Sequence, residues 1–271
     1  MGFYLIKGTF VPKIGDPDGD SVRFIADNIE NWDLLEGRGD DPGRRDSMQL
    51  RFEGIDALEK AAVQPFVGDA IESMKRLIGY QVGADEEPRG YLLAKRFEGN
   101  GRPVCFVFAG DADEADASDI FLDAARLRIS VNYLQVQAGF AYPLFYNTLF
   151  KVLRETLAVA WQDARTNGRG YCPVDASMTG VTVNGRGDLD DIRPIWPKMW
   201  RRLEEYYRRR DSSGNFPHNL DGFLAFLRRS NERADDLTTF EQKSIEHFFG
   251  VEGNKVKMLV APEFIRVVSS V

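Results

Sequence analysis

Five short β-prone segments, with one helix-patterned segment between the third and the fourth, fill residues 5–109 and limit the folds open to this chain. Residues 5–14 and 22–28 are apolar and β-rich, and Gly15-Asp16-Pro17-Asp18-Gly19-Asp20 between them is a dense turn signal. A polar, charged loop spans 33–46. Residues 48–55 alternate, with Met48, Leu50 and Phe52 on one side and Gln49, Arg51 and Glu53 on the other. Phe66, Ala70, Met74 and Leu77 then recur at helical spacing, and Gly79 closes the helix. Two more strands, 91–97 and 104–109, flank the turn Glu98-Gly99-Asn100-Gly101. This order suits an α+β fold built on a five-stranded OB-type Greek-key barrel with packed helices.

Helical segments are expected at about 118–138 and 146–165. A stretch at 167–191, rich in Gly, Asp and Thr, marks a boundary, so 1–175 and 176–271 are expected as two domains. The second is expected to be mostly helical. Residues 198–210 carry Met199, Leu203, Tyr206 and Tyr207 on one side, and 219–229 carry Leu220, Phe223, Leu224 and Leu227. A third helix is expected from Thr239, spaced to Gln242 as in a capping box, to Gly250. Residues 256–260 and 264–268 are candidate terminal strands.

Composition removes several chemistries. The two cysteines, Cys105 and Cys172, exclude a disulfide framework and a multi-cysteine zinc site. The two histidines, His218 and His247, stand in no ligand spacing and read as packing or surface residues. Any metal would then be held by carboxylates, which favours calcium or magnesium. No apolar run reaches the ~18–20 residues of a membrane span, so no membrane partner and a cytoplasmic setting are expected. The net charge is −7, and it is uneven: residues 176–271 carry 15 Lys and Arg against 14 Asp and Glu, residues 1–175 carry 20 against 28. That balance argues against tight non-specific nucleic-acid binding, which depends on neutralising phosphates, but permits a local cationic cleft.

Five ordered motifs carry the chemistry: Asp18-Gly19-Asp20-Ser21-Val22; Leu50-Arg51; Ile55-Asp56-Ala57-Leu58-Glu59; Asn100-Gly101-Arg102; and Val131-Asn132 through Gly139-Phe140-Ala141-Tyr142. In this order, over residues 5–172, they resemble the staphylococcal-nuclease-like family. The resemblance implies a divalent-cation-dependent nuclease, a hydrolase cutting phosphodiester bonds in DNA or RNA. It implies Asp20 and Asp56 as calcium ligands (magnesium as the substitute), with the backbone carbonyl of Ala57, and Asp18 in support. It implies Glu59 as general base and Arg51 and Arg102 as the phosphate grip, a task suited to a guanidinium fork that keeps its charge.

The sequence also departs from that family. Leu58 replaces a proline, which is expected to loosen the turn carrying Glu59. Asn100 stands where a nucleotide-contacting tyrosine is common, and Phe145 or Tyr146 is the candidate for stacking on a base. The aromatic, arginine-rich segment 196–210 reads as an amphipathic helix docked by its aromatic side, with a nucleic-acid surface as the rival reading. Two rival functions remain: a non-catalytic nucleic-acid- or protein-binding scaffold on the same fold, and a C-terminal region that binds a protein partner and delivers the nuclease.

Overall fold

The computed structural model describes residues 2–40, 43–213 and 220–268. The strand β1 (Phe3–Phe10) pairs antiparallel with β2 (Arg23–Ala26) on one side. Residues 48–56 form three short pieces, β3 (Met48–Gln49), β4 (Arg51–Phe52) and β5 (Ile55–Asp56). After the helix α1 (Phe66–Leu77), β6 (Arg89–Phe97) lies along the other side of β1, and β7 (Pro103–Ala109) follows antiparallel. The sheet runs β3-β2-β1-β6-β7-β4. Its two end strands, β3 and β4, are separated by Leu50 alone, so the chain crosses from one edge to the other there and nearly closes a barrel. Closure removes most of the exposed edge. Both faces of the sheet are apolar and buried: Leu5, Leu93 and Phe106 lie on one face, and Phe10 and Phe24 on the other.

The expected helix at 118–138 is three elements: β8 (Asp119–Ile120), α2 (Ala124–Leu127) and α3 (Val131–Gln137). Two caps break it, because the Asp123 side chain accepts from Arg126 N and the Ser130 side chain from Tyr133 N. β9 (Tyr142–Pro143) and β10 (Phe145–Tyr146) follow, so the segment expected as helix from 146 opens instead on the end of a strand. The helix α4 (Lys151–Thr166) starts five residues later. In α3, Asn132 is buried and stitches the barrel: it accepts from Val107 N and donates to the carbonyls of Glu53 and Cys105.

The expectation of a mostly helical C-terminal region is corrected. After β11 (Val181–Thr182) and α5 (Pro197–Ser213) come α6 (Phe223–Arg229), β12 (Arg233–Asp236), β13 (Glu241–Ser244), β14 (Phe249–Glu252), β15 (Lys255–Met258) and β16 (Ile265–Val268). No helix runs from Thr239 to Gly250. β13 pairs with β12 in a hairpin, and a 3-10 turn at Ile245–Phe248 leads into β14. The capping-box spacing misled because Asp236 does the local work: its carboxylate accepts from Thr238 N and from the Thr238 hydroxyl, closing the hairpin turn. The two terminal strands are found, as β15 and β16.

The aromatic side of α5 is docked. Trp196, Met199, Leu203, Tyr206 and Tyr207 have no exposed surface, and burying each such side chain contributes about 1.5–3 kcal/mol. Trp196 Nε1 donates to Pro143 O at 3.2 Å, and β16 pairs in parallel with β10. Elements from both sides of residue 175 therefore share one apolar core. The side chain of Arg210 and all of His218 lie outside the described residues.

Candidate active-site cleft

The Asp18-Gly19-Asp20 turn is pinned at one end of the barrel. Asp18 bridges to Ser21, and its carboxylate accepts from Asp20 N at 3.3 Å. Position 19 must be glycine for lack of room: a Cβ there would lie 2.7 Å from that of Ala57 and 3.0 Å from that of Ala70. Gln135 fixes the same approach, donating to the carbonyls of Gly19 and Ala70 at 2.8 and 3.0 Å. The turn thus lies against the end of β5, and Asp20 Oδ2 accepts from Ala57 N at 2.9 Å.

β5 delivers Asp56, and the next residues deliver Glu59. Leu58 is buried, so packing holds the turn that carries Glu59. β4 delivers Arg51 from the closing edge of the sheet. The Glu98–Arg102 turn, with Gly101 at φ +76°, delivers Arg102. Glu98 engages both arginines: Arg51 Nε lies 3.4 Å from one carboxylate oxygen, and Arg102 Nε donates to the other. β10 brings Tyr146, and the Arg51 guanidinium sits 6.0 Å from the centre of its ring.

Asp18, Asp20, Arg51, Asp56, Ala57, Glu59, Asn100, Arg102 and Tyr146 line one cleft of about 600 Å³. Phe145 is not among them. It is fully buried in the apolar core, and its candidacy for base stacking is corrected in favour of Tyr146. The reason is strand alternation: in β10, successive side chains point to opposite faces.

The sequence reading left out the far wall of this cleft, which is α5. Lys198, Trp200, Arg201, Arg202, Glu204, Glu205 and Arg208 line it. Arg201 reaches the carboxylates. Its Nη1 and Nη2 donate to Asp56 Oδ1 and Oδ2 at 3.0 and 2.8 Å, and Nη1 also donates to Glu59 Oε1 at 2.5 Å. Arg202 pairs with Glu205 and Glu232, and Lys198 with Glu232. The only signal was the density of arginine opposite the aromatic face of 198–210, and it does not say which carboxylates an arginine meets.

The electrostatics follow from crowding. Burial, then Asp18 and Asp56, push the Asp20 carboxyl well above its ordinary range, against one N–H from Ala57. Burial also raises Glu59, with Asp56 and Asp18 adding to it and Arg201 opposing. Burial works against the charge on Arg201, but Asp56 and Glu59 outweigh it and its pKa stands above the ordinary value. The same balance holds for Arg51, where Asp56, Tyr146, Glu98 and Asp20 prevail over burial.

The oxygen-only donors Asp18, Asp20 and Asp56 fit a hard divalent cation by their chemistry, and the crowding on Asp20 is relieved by added positive charge. As placed, no three His, Cys, Asp or Glu side chains among the described residues gather into a metal-holding group. Asp56 is instead engaged by Arg201. No described helix is long and apolar enough to cross a membrane. Neither a scan against models of known protein families nor a search of curated proteins finds a match to this chain.

Proposed function

We propose that this cleft hydrolyses phosphodiester bonds in DNA or RNA with the help of a divalent cation, calcium first and magnesium second, on an OB-type barrel of staphylococcal-nuclease-like design. One observation carries the reading. Asp20, Asp56, Glu59, Arg51 and Arg102 come from four separate segments and line a single cleft together. Arg51 and Arg102 bind the non-bridging oxygens of the phosphate, for which they exchange Glu98, and stabilise the charge that grows there in the transition state. Glu59 orients the attacking water and takes its proton at a carboxylate oxygen, for which it exchanges Arg201. Asp20, Asp56 and the Ala57 carbonyl would hold the cation, with Asp18 in support. When bound, the cation supplies charge to the phosphate oxygens and acidifies water. Tyr146 offers a ring face for a base.

One observation favours a second reading, a non-catalytic nucleic-acid- or protein-binding module. Every charged group assigned to Glu59, Asp56, Arg51 and Arg102 already has an internal partner, Arg201 or Glu98. Purified protein incubated with single-stranded DNA and RNA, in calcium, in magnesium and in chelator, separates the two. Cleavage that chelator abolishes is the expected result. Binding without cleavage under any cation selects the scaffold, and undiminished cleavage in excess chelator removes the cation from the mechanism.

A further inference from the structure

Asp56 is buried, and both of its carboxylate oxygens are taken by one guanidinium that also holds Glu59. The fork-on-fork geometry is the strongest arrangement open to an arginine and a carboxylate. Arg201 keeps its charge at any working pH. Its backbone is held in place, because α5 is anchored in the core by Trp196, Tyr206 and Tyr207 and by the Trp196 bond to Pro143. Only the side chain has freedom, and 37% of its surface is exposed.

We infer that Arg201 is the built-in counter-cation of the cleft, and that a divalent cation binds Asp56 only by displacing the Arg201 guanidinium from it. A cation seated on the two oxygens that Arg201 holds would stand within a few ångströms of the guanidinium, and their repulsion in this buried setting drives the competition. The cation's apparent affinity is therefore reduced by the fraction of molecules in which Arg201 has swung away. The C-terminal region thereby sets the cation concentration at which the barrel's cleft fills. The inference rests on the phosphodiesterase reading for the choice of calcium as the cation, and on the observed contacts for the competition itself.

Calorimetric titration of calcium into the full chain tests it, comparing wild type, Arg201→Gln and the double variant Arg201→Gln/Asp56→Asn, each with a thermal melt. Arg201→Gln keeps a hydrogen-bonding side chain and removes the charge. It is expected to bind calcium at least tenfold more tightly than wild type, and the added Asp56→Asn is expected to abolish the gain. Should Arg201→Gln be too unstable to titrate, a calcium-induced rise in its Tm larger than that of wild type carries the same meaning. Equal or weaker calcium affinity in the folded variant, a gain that survives Asp56→Asn, or no added calcium stabilisation overturns the inference. Failure of the hydrolysis reading looks different. Tighter calcium binding with no cleavage of DNA or RNA by either protein ends that reading and leaves the competition standing, whereas cleavage with unchanged calcium affinity does the reverse.

Discussion

Three carboxylates of the C-terminal region and two of the barrel hold their charge in opposite ways, while Glu263 of the C-terminal region, raised by burial against Arg165, follows the barrel pattern. In the barrel, Glu53 and Asp20 are carboxylates whose surroundings favour the neutral form, through burial and, for Asp20, through like charges. In the C-terminal region, Glu232, Asp236 and Glu246 are also driven upward by burial, but nearby cations and hydrogen-bond donors prevail and hold them below their ordinary range. Glu232 is met by Lys198 and Arg202, Asp236 by Thr238 and Lys243, and Glu246 by Ser244 and Arg228. At Glu232, Asp236 and Glu246 the C-terminal region is satisfied in its charges and acts as a support. Asp20, crowded by Asp18 and Asp56, is the carboxylate that a bound cation would change most. Arg201 joins the two regions, since it is the one α5 arginine with side-chain bonds to Asp56 and Glu59 in the structure described.

The largest effect should come from removing one region altogether. A fragment ending at Ser177 loses α5 and β16, exposing what Trp196, Tyr206, Tyr207 and Val267 now cover. Losing these buried side chains, at about 1.5–3 kcal/mol each, is comparable to the roughly 5–15 kcal/mol that holds a typical domain. The fragment should therefore be insoluble or lack a cooperative melt by circular dichroism. A soluble fragment with an unchanged melt would mean that the barrel does not need its partner region.

The next contrast lies within two adjacent residues. Phe145→Ala empties a fully buried ring position and should cost about 3–5 kcal/mol of stability in urea titration. Tyr146→Ala, on the cleft wall, should leave the denaturation midpoint nearly unchanged and weaken binding of single-stranded nucleic acid. Equal destabilisation by both would remove the distinction between core and cleft drawn here.

This pair also shows what was legible in the sequence. The barrel's strands were readable because Met48, Leu50 and Phe52 alternate with polar neighbours, and because dense turn residues punctuate them. The ordered motifs singled out Asp18, Asp20, Arg51, Asp56, Glu59 and Arg102 from the sequence, and the structure adds that they line one cleft. Choosing between Phe145 and Tyr146 needed the face that β10 turns inward, which a two-residue strand does not announce. The strands Arg233–Asp236 and Glu241–Ser244 were invisible for another reason. Their sequences, RADD and EQKS, have no apolar alternation, and Asp235 and Asp236 are buried only because Arg266 and Thr238 satisfy them. Such strands are stabilised by partners distant in sequence, as is the contact of Arg201 with Asp56, 145 residues away.

On the barrel side, Arg51→Ala and Arg102→Ala should each lower kcat by about 10²–10³, the usual loss when one transition-state donor is removed. Their melts should shift little, since the pairs with Glu98 are partly exposed and worth about 0.2–1 kcal/mol. Near wild-type turnover in either variant would withdraw that arginine from the phosphate.

The smallest expected effect separates the two charge regimes by pH. Glu232 has a folded-state pKa below its ordinary value, so its contribution is present above the unfolded pKa of about 4.3 and is lost as pH falls through the lower, folded value. Glu53 has a folded-state pKa above its ordinary value because burial outweighs the pull of Arg96 and Arg51. Its ionisation opposes folding at neutral pH, and that penalty is relieved as pH falls through the raised value toward the unfolded one. Glu232→Gln should therefore be less stable than wild type at pH 7 by about 1.5–3 kcal/mol, the range for hydrogen bonds to charged groups. The difference should close in strong acid. Glu53→Gln should differ least from wild type at low pH and gain on it as pH rises through the raised Glu53 value. Urea titrations of the three proteins from pH 3 to pH 8 read both slopes. Two slopes of the same sign would mean that Glu53 and Glu232 do not differ in how their surroundings hold the charge.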